Sequence, residues 1–535
     1  MWGCWELKGK FPFYSEEMRS LKDILAWLDP RHRSDEFRRS LRNSSWSLVD
    51  YLFHPILLVL VTPFLVFRLG VERFGIWMLV SAVTGAMGIF SLGLGDATIK
   101  YVSSHNARKD VGSVIRVVRC TLALYSLLGL AAASVTFLLA SFLVKHVFKV
   151  GLANQELAVL AMRVGGVGLA ARFLDSVFLS ALRGLERYDL SARVTIAVKF
   201  LTTAATVAVV ALGYGVVGIL WATALLTGLS AWAQARIVKD LVPAITFWPA
   251  LDRCSLSEIF GFGIYSWFQG MAGVLVGQAD RLLIGALLGT SPLTYYSVCQ
   301  RVAMQVYAVL SSAMGFLFPH SSAAMEQGDM ARLRSTYFRA LSAVQVSATA
   351  MALPLILFAR PILSMWMGAD FSRHAAPILQ VLAFAYALIA TSIVPYYFLN
   401  GTGHVRLNSL FSGISAGVVA GTSALLIPYL AGVGAALGKA SSALTTSLVS
   451  RTYLHWKILC DRRWYAGAIV LAPVAFPLGL GFMWLHGGGP PQTGPIGVLF
   501  GIILSSLAGG LLAGVLIYFT TPPSLFQSPS LNANL

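Results

Sequence analysis

Six basic residues lie inside long apolar segments of the sequence, and they carry its strongest chemical signal. They are Arg163, Arg172, Lys199, Arg281, Arg301 and Lys439, against only Asp175 and Asp280 on the acidic side. A cation at the centre of a bilayer costs about 2.5–3.5 kcal/mol even on insertion scales, so such residues face a protein interior or a watery cavity. The excess of bases over acids predicts a cavity that handles something negatively charged.

The depth of each basic residue within its segment separates the six. Arg163 lies about two turns from a predicted outer end, where a long side chain can reach the interface. Arg172 lies near the middle of the same segment, and Asp175 follows it at the spacing of partners on one helix face. We therefore expect an interfacial position for Arg163. For Arg172 we expect either a functional role or a local ion pair with Asp175.

Polar stripes run along two further segments. Ser297, Arg301, Gln305 and Ser312 recur at helical spacing in one segment, and a similar stripe begins at Lys439 in another. A line of small and polar groups in an apolar helix predicts a cavity lining. The predicted substrate-binding or cavity residues are Arg172, Lys199, Arg281, Arg301, Gln305 and Lys439, and the predicted ion-coupling or charge-pair residues are Asp96, Lys100, Asp175 and Asp280.

Sequence signals for enzyme catalysis are weak by comparison. His105 and Asp110 have an H-x4-D spacing, which can serve in acyl transfer, but they lie in a short basic loop with no catalytic domain around it. No Walker loop and no H-E-x-x-H pattern is present. We predict that the protein is not an enzyme and has no cofactor and no metal site. A membrane-bound polysaccharide polymerase or acyltransferase is the enzymatic alternative.

The elements that must position these residues are membrane-spanning helices. Of 535 residues, 57% are hydrophobic and 12% are charged, whereas soluble chains have about 25% charged residues. Apolar runs of about 20 residues recur along nearly the whole chain and predict an all-α polytopic membrane protein. Fourteen spans are predicted near 48–68, 74–97, 121–143, 157–181, 194–213, 216–235, 259–288, 293–319, 338–358, 376–399, 409–430, 433–455, 464–486 and 496–520.

The net charge of +17 is explained by topology. In the fourteen-span arrangement, Lys and Arg in the N-terminal arm and the inner loops far outnumber those in the outer loops, as the positive-inside rule requires. This pattern predicts a cytosolic N-terminus and argues against nucleic-acid binding. Pro55 and Pro63 both interrupt the first span, and a proline in a membrane helix is either an ordinary kink or a functional hinge.

A weak internal repeat divides the chain into two halves. The segment at 64–80 aligns with that at 283–299, so that Leu69-Gly70 matches Leu288-Gly289. The offset of six spans gives both halves the same orientation, and substrate sites in such transporters lie between the halves near the midplane. The predicted parts are an arm at 1–47, a first lobe at 48–240, a second lobe at 241–457, two further spans within 458–520 and a cytosolic tail at 521–535.

Several segments resemble the Wzx-type lipid-linked oligosaccharide flippases, or polysaccharide exporters, of the multidrug and oligosaccharidyl-lipid exporter superfamily. The similar segments are RLGVERFGIWMLVSAVTG (68–85), SLGLGDATIKYVS (91–103), ALRGLERYD (181–189), ALGYGVVGI (211–219), QADRLLIGALLGTSPLTYYSVCQRV (278–302), FLFPHSS (316–322) and YYFLNGTGHVRLN (396–408). Each is weak alone, but their order and spacing are specific. Together they span about residues 45–455, the twelve-span core expected of this fold.

This resemblance implies two six-helix lobes around a central cavity that opens to each side in turn. It implies movement of an undecaprenyl-pyrophosphate-linked sugar across the bacterial inner membrane, with membrane lipids around the protein, an H⁺ or Na⁺ coupling ion, and polysaccharide polymerase or export proteins as partners. Charged cavity residues matter in the family, which implies roles for Asp96 and Asp280 by motif match. A lipid II flippase and a drug or cation antiporter remain alternatives.

Overall fold

The computed structural model describes residues 57–91, 93–454 and 495–520. The predicted arm at 1–47, Pro55, the predicted span at 464–486 and the predicted tail lie outside these ranges. Within them, every regular element is a helix. The predicted all-α class is therefore confirmed.

The first half of the described chain folds into seven α-helices. A 3₁₀ turn at Met87–Ser91 continues the second helix, and a π turn at Leu143–Val147 continues the fourth. The helices are α1 (Leu57–Leu69), α2 (Val71–Ala86), α3 (Leu94–Ala107), α4 (Val111–Phe142), α5 (Gln155–Gly184), α6 (Tyr188–Ala211) and α7 (Gly215–Leu241).

The second half contributes nine further α-helices to the described ranges. They are α8 (Arg253–Leu287), α9 (Thr290–Ala313), α10 (Leu317–Glu326), α11 (Met330–Leu357), α12 (Ala359–Met367), α13 (Ala369–Ala390), α14 (Ile393–Gly401), α15 (Val405–Tyr453) and α16 (Pro495–Thr520). Nine stretches of the described chain are long and apolar enough to cross a membrane, or ten if α9 and α10, which meet at a 40° bend, form one span. These stretches follow the predicted spans in order and position.

The helix α15 contains two predicted spans, 409–430 and 433–455. Its helical geometry breaks at Ala431, which has φ 50° and ψ −132° and lies between the two predicted spans. We call the two parts α15a (405–430) and α15b (432–453). They pack closely, because a Cβ on Gly434 would lie 2.4 Å from the carbonyl oxygen of Leu426. Glycine at this position therefore allows the two parts to pack closely.

The two aligned segments of the internal repeat have the same local structure. Gly70 precedes α2 with φ 81°, and Gly289 precedes α9 with φ 97°, a conformation that favours glycine. Each glycine thus ends one helix and starts the next at an equivalent place in its half. The division into lobes at 240 and 241 stays a prediction, and it lies beside the linker that joins α7 to α8.

The two halves meet mainly through α2, which packs against α8 and α9. At Gly75 of α2 an added Cβ would lie 2.1 Å from the carbonyl oxygen of Thr290 on α9, so only glycine permits this approach. The Thr294 hydroxyl donates a hydrogen bond to the carbonyl oxygen of Val71 over 2.6 Å, and the Lys149 amide donates to Gly285 over 3.1 Å. These contacts all lie at the end of the bundle that the charge distribution predicts to be outer.

The buried apolar residues at this end form a core that the two halves share. One core cluster joins residues of both halves at the predicted outer end, among them Phe74, Tyr296 and Leu379. Three further clusters lie toward the predicted inner end, one in the second half and two in the first, and α3 packs against α8 between the halves. The described helices are therefore closed at the outer end by a core that both halves share.

Candidate functional site

Arg301 reaches from the second half of the chain into the first. It lies on α9, but its guanidinium packs near the rings of Phe74 and Trp77 on α2, with centroid distances of 5.8 and 5.5 Å. Nη2 contacts the sulfur of Met78 at 3.1 Å, and the buried Nη1 has no hydrogen-bond partner in the described chain. Aromatic faces stabilise a cation without neutralising it, so Arg301 keeps its full charge available.

The guanidinium of Arg301 lines a cavity of about 250 Å³ that lies mostly within the first half. Helices α2, α5, α6 and α7 form the walls of this cavity. The Arg172 side chain on α5 is part of its lining. No carboxylate is found among the described residues that line it. The full lining is Leu58, Trp77, Ser81, Thr84, Gly165, Gly168, Leu169, Arg172, Thr202, Thr203, Thr206, Leu220, Thr223, Ala224, Thr227 and Arg301.

Hydroxyl groups dominate the polar part of this lining. The side chains of Thr203, Thr206, Thr223 and Thr227 each donate to a carbonyl oxygen one turn back in their own helix, over 2.7–2.9 Å. Such bonds satisfy the hydroxyl proton and leave the oxygen lone pairs as acceptors. The cavity therefore combines two fixed cations with a set of neutral acceptors.

Arg172 and Asp175 do not form the local ion pair that the sequence leaves open. Within the described ranges the Arg172 guanidinium has no hydrogen-bond or salt-bridge partner, and it is exposed to the space around it. The Asp175 carboxylate instead accepts a hydrogen bond of 2.8 Å from Gln234 on α7, and Gln234 also donates to Ser230. The charge of Asp175 still interacts with that of Arg172, but Asp175 makes no bond to the guanidinium and leaves it available to a ligand.

A second charged cluster lies in the second half of the chain around Asp280. This carboxylate is fully buried and forms a salt bridge of 2.6 Å with Lys439, which is itself 2% exposed. The Tyr296 hydroxyl and the Gln300 amide, both on α9, also donate to Asp280. A buried carboxylate needs this many partners, because removing it from water is expensive.

Arg281 connects the second cluster to the cavity. Its Nε donates to the Gln300 side-chain oxygen over 2.6 Å, and its charge interacts with that of Arg301. Four of the six basic residues predicted inside the membrane therefore form a row of neighbours in space. Their order is Lys439, Arg281, Arg301 and Arg172.

The remaining predicted residues lie around this path. Lys199 sits one turn from Thr203 on α6, and Gln305 donates back to the carbonyl of Arg301. Asp96 and Lys100 are exposed at the start of α3, and Asp96 lies near Arg183. None of these four lines the cavity itself.

Arg163 and Pro63 lie farther from the charged path. Arg163 is exposed and lies 5.1 Å from the ring centroid of Phe137, as expected for an interfacial side chain. Pro63 lies within the continuous helix α1 and lines an open groove beside Phe64 and Tyr295 at the predicted outer end. A hinge role for Pro63 stays a prediction.

The loop pair His105 and Asp110 has a structural role at a helix end. Asp110 is the N-cap of α4 and accepts hydrogen bonds from the Ser113 amide at 3.0 Å and the Ser113 hydroxyl at 2.5 Å. These bonds hold the pKa of Asp110 below its usual range. The sequence also contains Gly413-x-Ser415-x-Gly417, but Ser415 lies inside α15a and shares a hydrogen bond of 2.6 Å with Ser442. A nucleophile elbow needs a strand-to-helix turn, which is not present there.

Arg451 is a buried cation that the sequence interpretation missed. Its side chain is fully buried at the end of α15b. Nη2 donates to the carbonyl oxygen of Thr391 over 2.8 Å, and Nε and Nη1 have no partner in the described chain. A buried helix face of Ala436, Ala440, Ala443 and Ser447 leads to it, and that spacing was the available signal.

The sequence as a whole matches known proteins. Residues 68–376 match the family described as "Polysaccharide biosynthesis protein", which is more than half of the chain. The chain belongs to this family. Among curated proteins, the "Putative O-antigen transporter" of Shigella flexneri is 20% identical over 403 residues, covering 73% of this chain and 89% of that protein. The "Uncharacterized membrane protein EpsK" of Bacillus subtilis is 24% identical over 370 residues, covering 67% and 70%.

Solved structures show the fold of this polysaccharide biosynthesis family member. An inward-facing multidrug resistance MATE transporter of the MOP superfamily aligns with a TM-score of 0.64 and 17% identity, covering 78% of this chain and 99% of that chain. A MOP superfamily transporter from Pyrococcus furiosus aligns with a TM-score of 0.59 and 17% identity, over 78% and 96%. The predicted family resemblance and the MATE-like fold are thereby confirmed.

Proposed function

We propose that this protein moves an undecaprenyl-pyrophosphate-linked oligosaccharide, a polysaccharide repeat unit, from the inner to the outer leaflet of a bacterial inner membrane by alternating access. One observation carries the proposal. Two guanidinium groups from opposite halves of the chain, Arg172 and Arg301, line the same cavity, and neither has a carboxylate partner among the described residues. Cations inside membrane helices that lack a carboxylate partner favour an anionic ligand.

The chemistry of the cavity fits the headgroup of such a lipid. Arg172 and Arg301 can donate charge-assisted hydrogen bonds to pyrophosphate oxygens, and guanidinium groups suit phosphate geometry. The threonine oxygens can accept hydrogen bonds from the hydroxyls of the first sugar. The volume of about 250 Å³ is below the usual range for a drug-sized ligand, so it suits the pyrophosphate and its neighbouring sugar rather than a whole oligosaccharide.

The position of the cavity supports the direction of transport. The two halves share a closed core at the predicted outer end, and the cavity lies on the inner side of that core, so an anionic headgroup would enter from the cytosolic side. A membrane potential that is negative inside favours expulsion of an anion by about 2.3 kcal/mol per charge per 100 mV. The lipid tail would stay in the bilayer throughout.

The runner-up is a lipid II flippase, whose cargo carries the same pyrophosphate and would use the same cations. A drug or cation antiporter is less well supported, because such a protein needs acidic groups facing its cargo. Here Asp280 is paired with Lys439, and Asp175 accepts from Gln234. Glycans of different composition on the same lipid would separate the first two functions.

The test uses purified protein in proteoliposomes with a fluorescently labelled undecaprenyl-pyrophosphate-linked glycan. Arg172→Ala and Arg301→Ala should each lower the translocation rate by about tenfold or more, because a hydrogen bond to a charged group contributes about 1.5–3 kcal/mol. Arg163→Ala is the matched control, since it removes an arginine of α5 outside the cavity, and it should keep the wild-type rate. Wild-type rates for both cavity variants would overturn the proposal.

A further inference from the structure

The charge balance around Asp280 differs from that expected of a carboxylate that binds a coupling ion. Such a carboxylate alternates between a bare and a neutralised state as H⁺ or Na⁺ binds and leaves. Here the Lys439 ammonium lies 2.6 Å from Asp280 Oδ2, at the distance of a charge-assisted hydrogen bond, and both side chains are buried. The negative charge is already neutralised by a cation that belongs to the chain.

The other ligands of the carboxylate complete this arrangement. Oδ2 also accepts from the Tyr296 hydroxyl and from the Gln300 amide at 3.2 Å, and Oδ1 accepts from the Arg281 backbone amide at 2.9 Å. An ionised carboxylate has about four acceptor sites. All four contacts come from the protein, three of them to Oδ2 and one to Oδ1.

The Lys439 ammonium has a second favourable contact, with an aromatic ring. Lys439 Nζ lies 5.6 Å from the ring centroid of Tyr386 on α13, a favourable cation–π distance. The charged and titratable groups that surround the pair are Tyr296 on α9, Tyr386 on α13 and Arg281 on α8. All of them lie in the second half of the chain. Rocking of one half against the other would therefore leave the pair intact.

We propose that Lys439 occupies the place of a coupling cation at Asp280, so that this site binds neither Na⁺ nor a proton during transport. The pair is a built-in, permanently loaded cation site. Resting on the proposed function, the consequence is that the net charge moved in each cycle is the charge of the anionic cargo. Transport would then respond to the membrane potential and be indifferent to a Na⁺ gradient.

The test measures thermal stability of the purified protein, without cargo, in chloride solutions of Na⁺, ethylammonium or N-methylglucamine at equal ionic strength. A ligand that binds only the folded state raises its Tm. Wild-type Tm should be the same in all three. Lys439→Ala should have a lower Tm, because it leaves Asp280 buried without its counter-charge, and Na⁺ or ethylammonium should restore most of the loss.

Two variants control this experiment. Lys199→Ala removes a membrane lysine outside the pair, so its Tm should not depend on the cation. The double variant Asp280→Ala/Lys439→Ala removes both charges, and its Tm should be independent of the cation too. If Lys439→Ala folds but no cation raises its Tm, the proposal fails.

A second measurement applies even if Lys439→Ala does not fold. Wild-type protein that Na⁺ stabilises, with the effect lost in Asp280→Asn, would overturn the proposal, because Asp280 would then accept an external cation. Wild-type Tm that is indifferent to Na⁺, together with a double variant that folds, supports it. Because cargo is absent from both measurements, they stand apart from any failure of the glycan-translocation assay.

Discussion

At the scale of single residues, partners decide what an intramembrane cation does. Lys439 and Arg172 look alike in sequence, each one basic residue in an apolar helix. Lys439 is neutralised by Asp280, whereas Arg172 faces a cavity without a hydrogen-bond or salt-bridge partner in the described chain. The first is suited to holding helices and charge in place, and the second to binding an anion. Arg451 is a third case, with a buried guanidinium that makes a single described hydrogen bond.

Arg451 allows a stability prediction. Replacing a buried, poorly satisfied ion by an apolar side chain of similar length is often neutral or stabilising, by about 1–4 kcal/mol. We expect Arg451→Met to have a Tm equal to or above that of the wild type, measured by thermal unfolding in detergent. Arg451→Lys keeps the charge and should be less stable than Arg451→Met. The reverse order, with Met well below Lys, would show that the cation has a strong partner in the folded protein.

At the scale of elements, helix ends and close helix contacts place the charged residues. Gly289 starts α9, which carries Gln300 and Arg301 toward their partners on α8 and α2. On the predicted inner side, Asp110 caps α4 through two hydrogen bonds from Ser113. The cap explains the H-x4-D spacing without any catalytic role, because the carboxylate is occupied by the helix.

The cap on α4 predicts both a pH dependence and a transport result. The folded-state pKa of Asp110 is depressed by the bonds from Ser113, so its contribution is present above the unfolded pKa and lost as pH falls through the folded value. Asp110→Ala should therefore lower Tm at neutral pH, with a difference from wild type that shrinks in acid. Asp110→Asn, another good cap, should lose less.

Transport by these cap variants tests the enzymatic alternative. Glycan translocation should persist in Asp110→Asn and in His105→Ala. Loss of activity in both, with normal Tm, would instead support an acyltransferase.

At the scale of the whole molecule, the shared core at the predicted outer end defines one state of an alternating cycle. In this state α2 and α9 touch at Gly75, and the cavity with Arg172 and Arg301 lies beyond that seal. Alternating access requires the same contact to open. The contact between the two halves is therefore a direct means to bias the cycle.

Gly75→Leu should prevent closure of the outer end, because even a Cβ there would lie 2.1 Å from the Thr290 carbonyl oxygen. In a background without reactive cysteines, Ser81→Cys in the cavity should react with an impermeant thiol reagent added outside when Gly75→Leu is also present. Ser81→Cys should react far less when Gly75 is unchanged. Gly75→Leu should also abolish translocation. Gly228→Ala on α7 is the control, since its Cβ meets nothing within 4 Å. Equal labelling of Ser81→Cys with and without Gly75→Leu would contradict the prediction that the contact at Gly75 closes the outer end.

The sequence by itself determined the helices, their order and most of the residues that carry charge into the membrane. It could do so because apolar length, glycine punctuation and helical spacing are local properties of the chain. It also indicated the family, through short segments in a consistent order.

Only the tertiary structure decided which charges meet. The pair of Lys439 and Asp280 joins residues 159 positions apart, and Arg301 crosses to α2 of the other half. Spacing along one helix left open an ion pair of Arg172 with Asp175, yet Asp175 bonds to Gln234 on a neighbouring helix. The reason is physical. Periodicity fixes the faces of a single helix, whereas the partner of each face depends on how the helices pack, and that packing is set by contacts between distant segments.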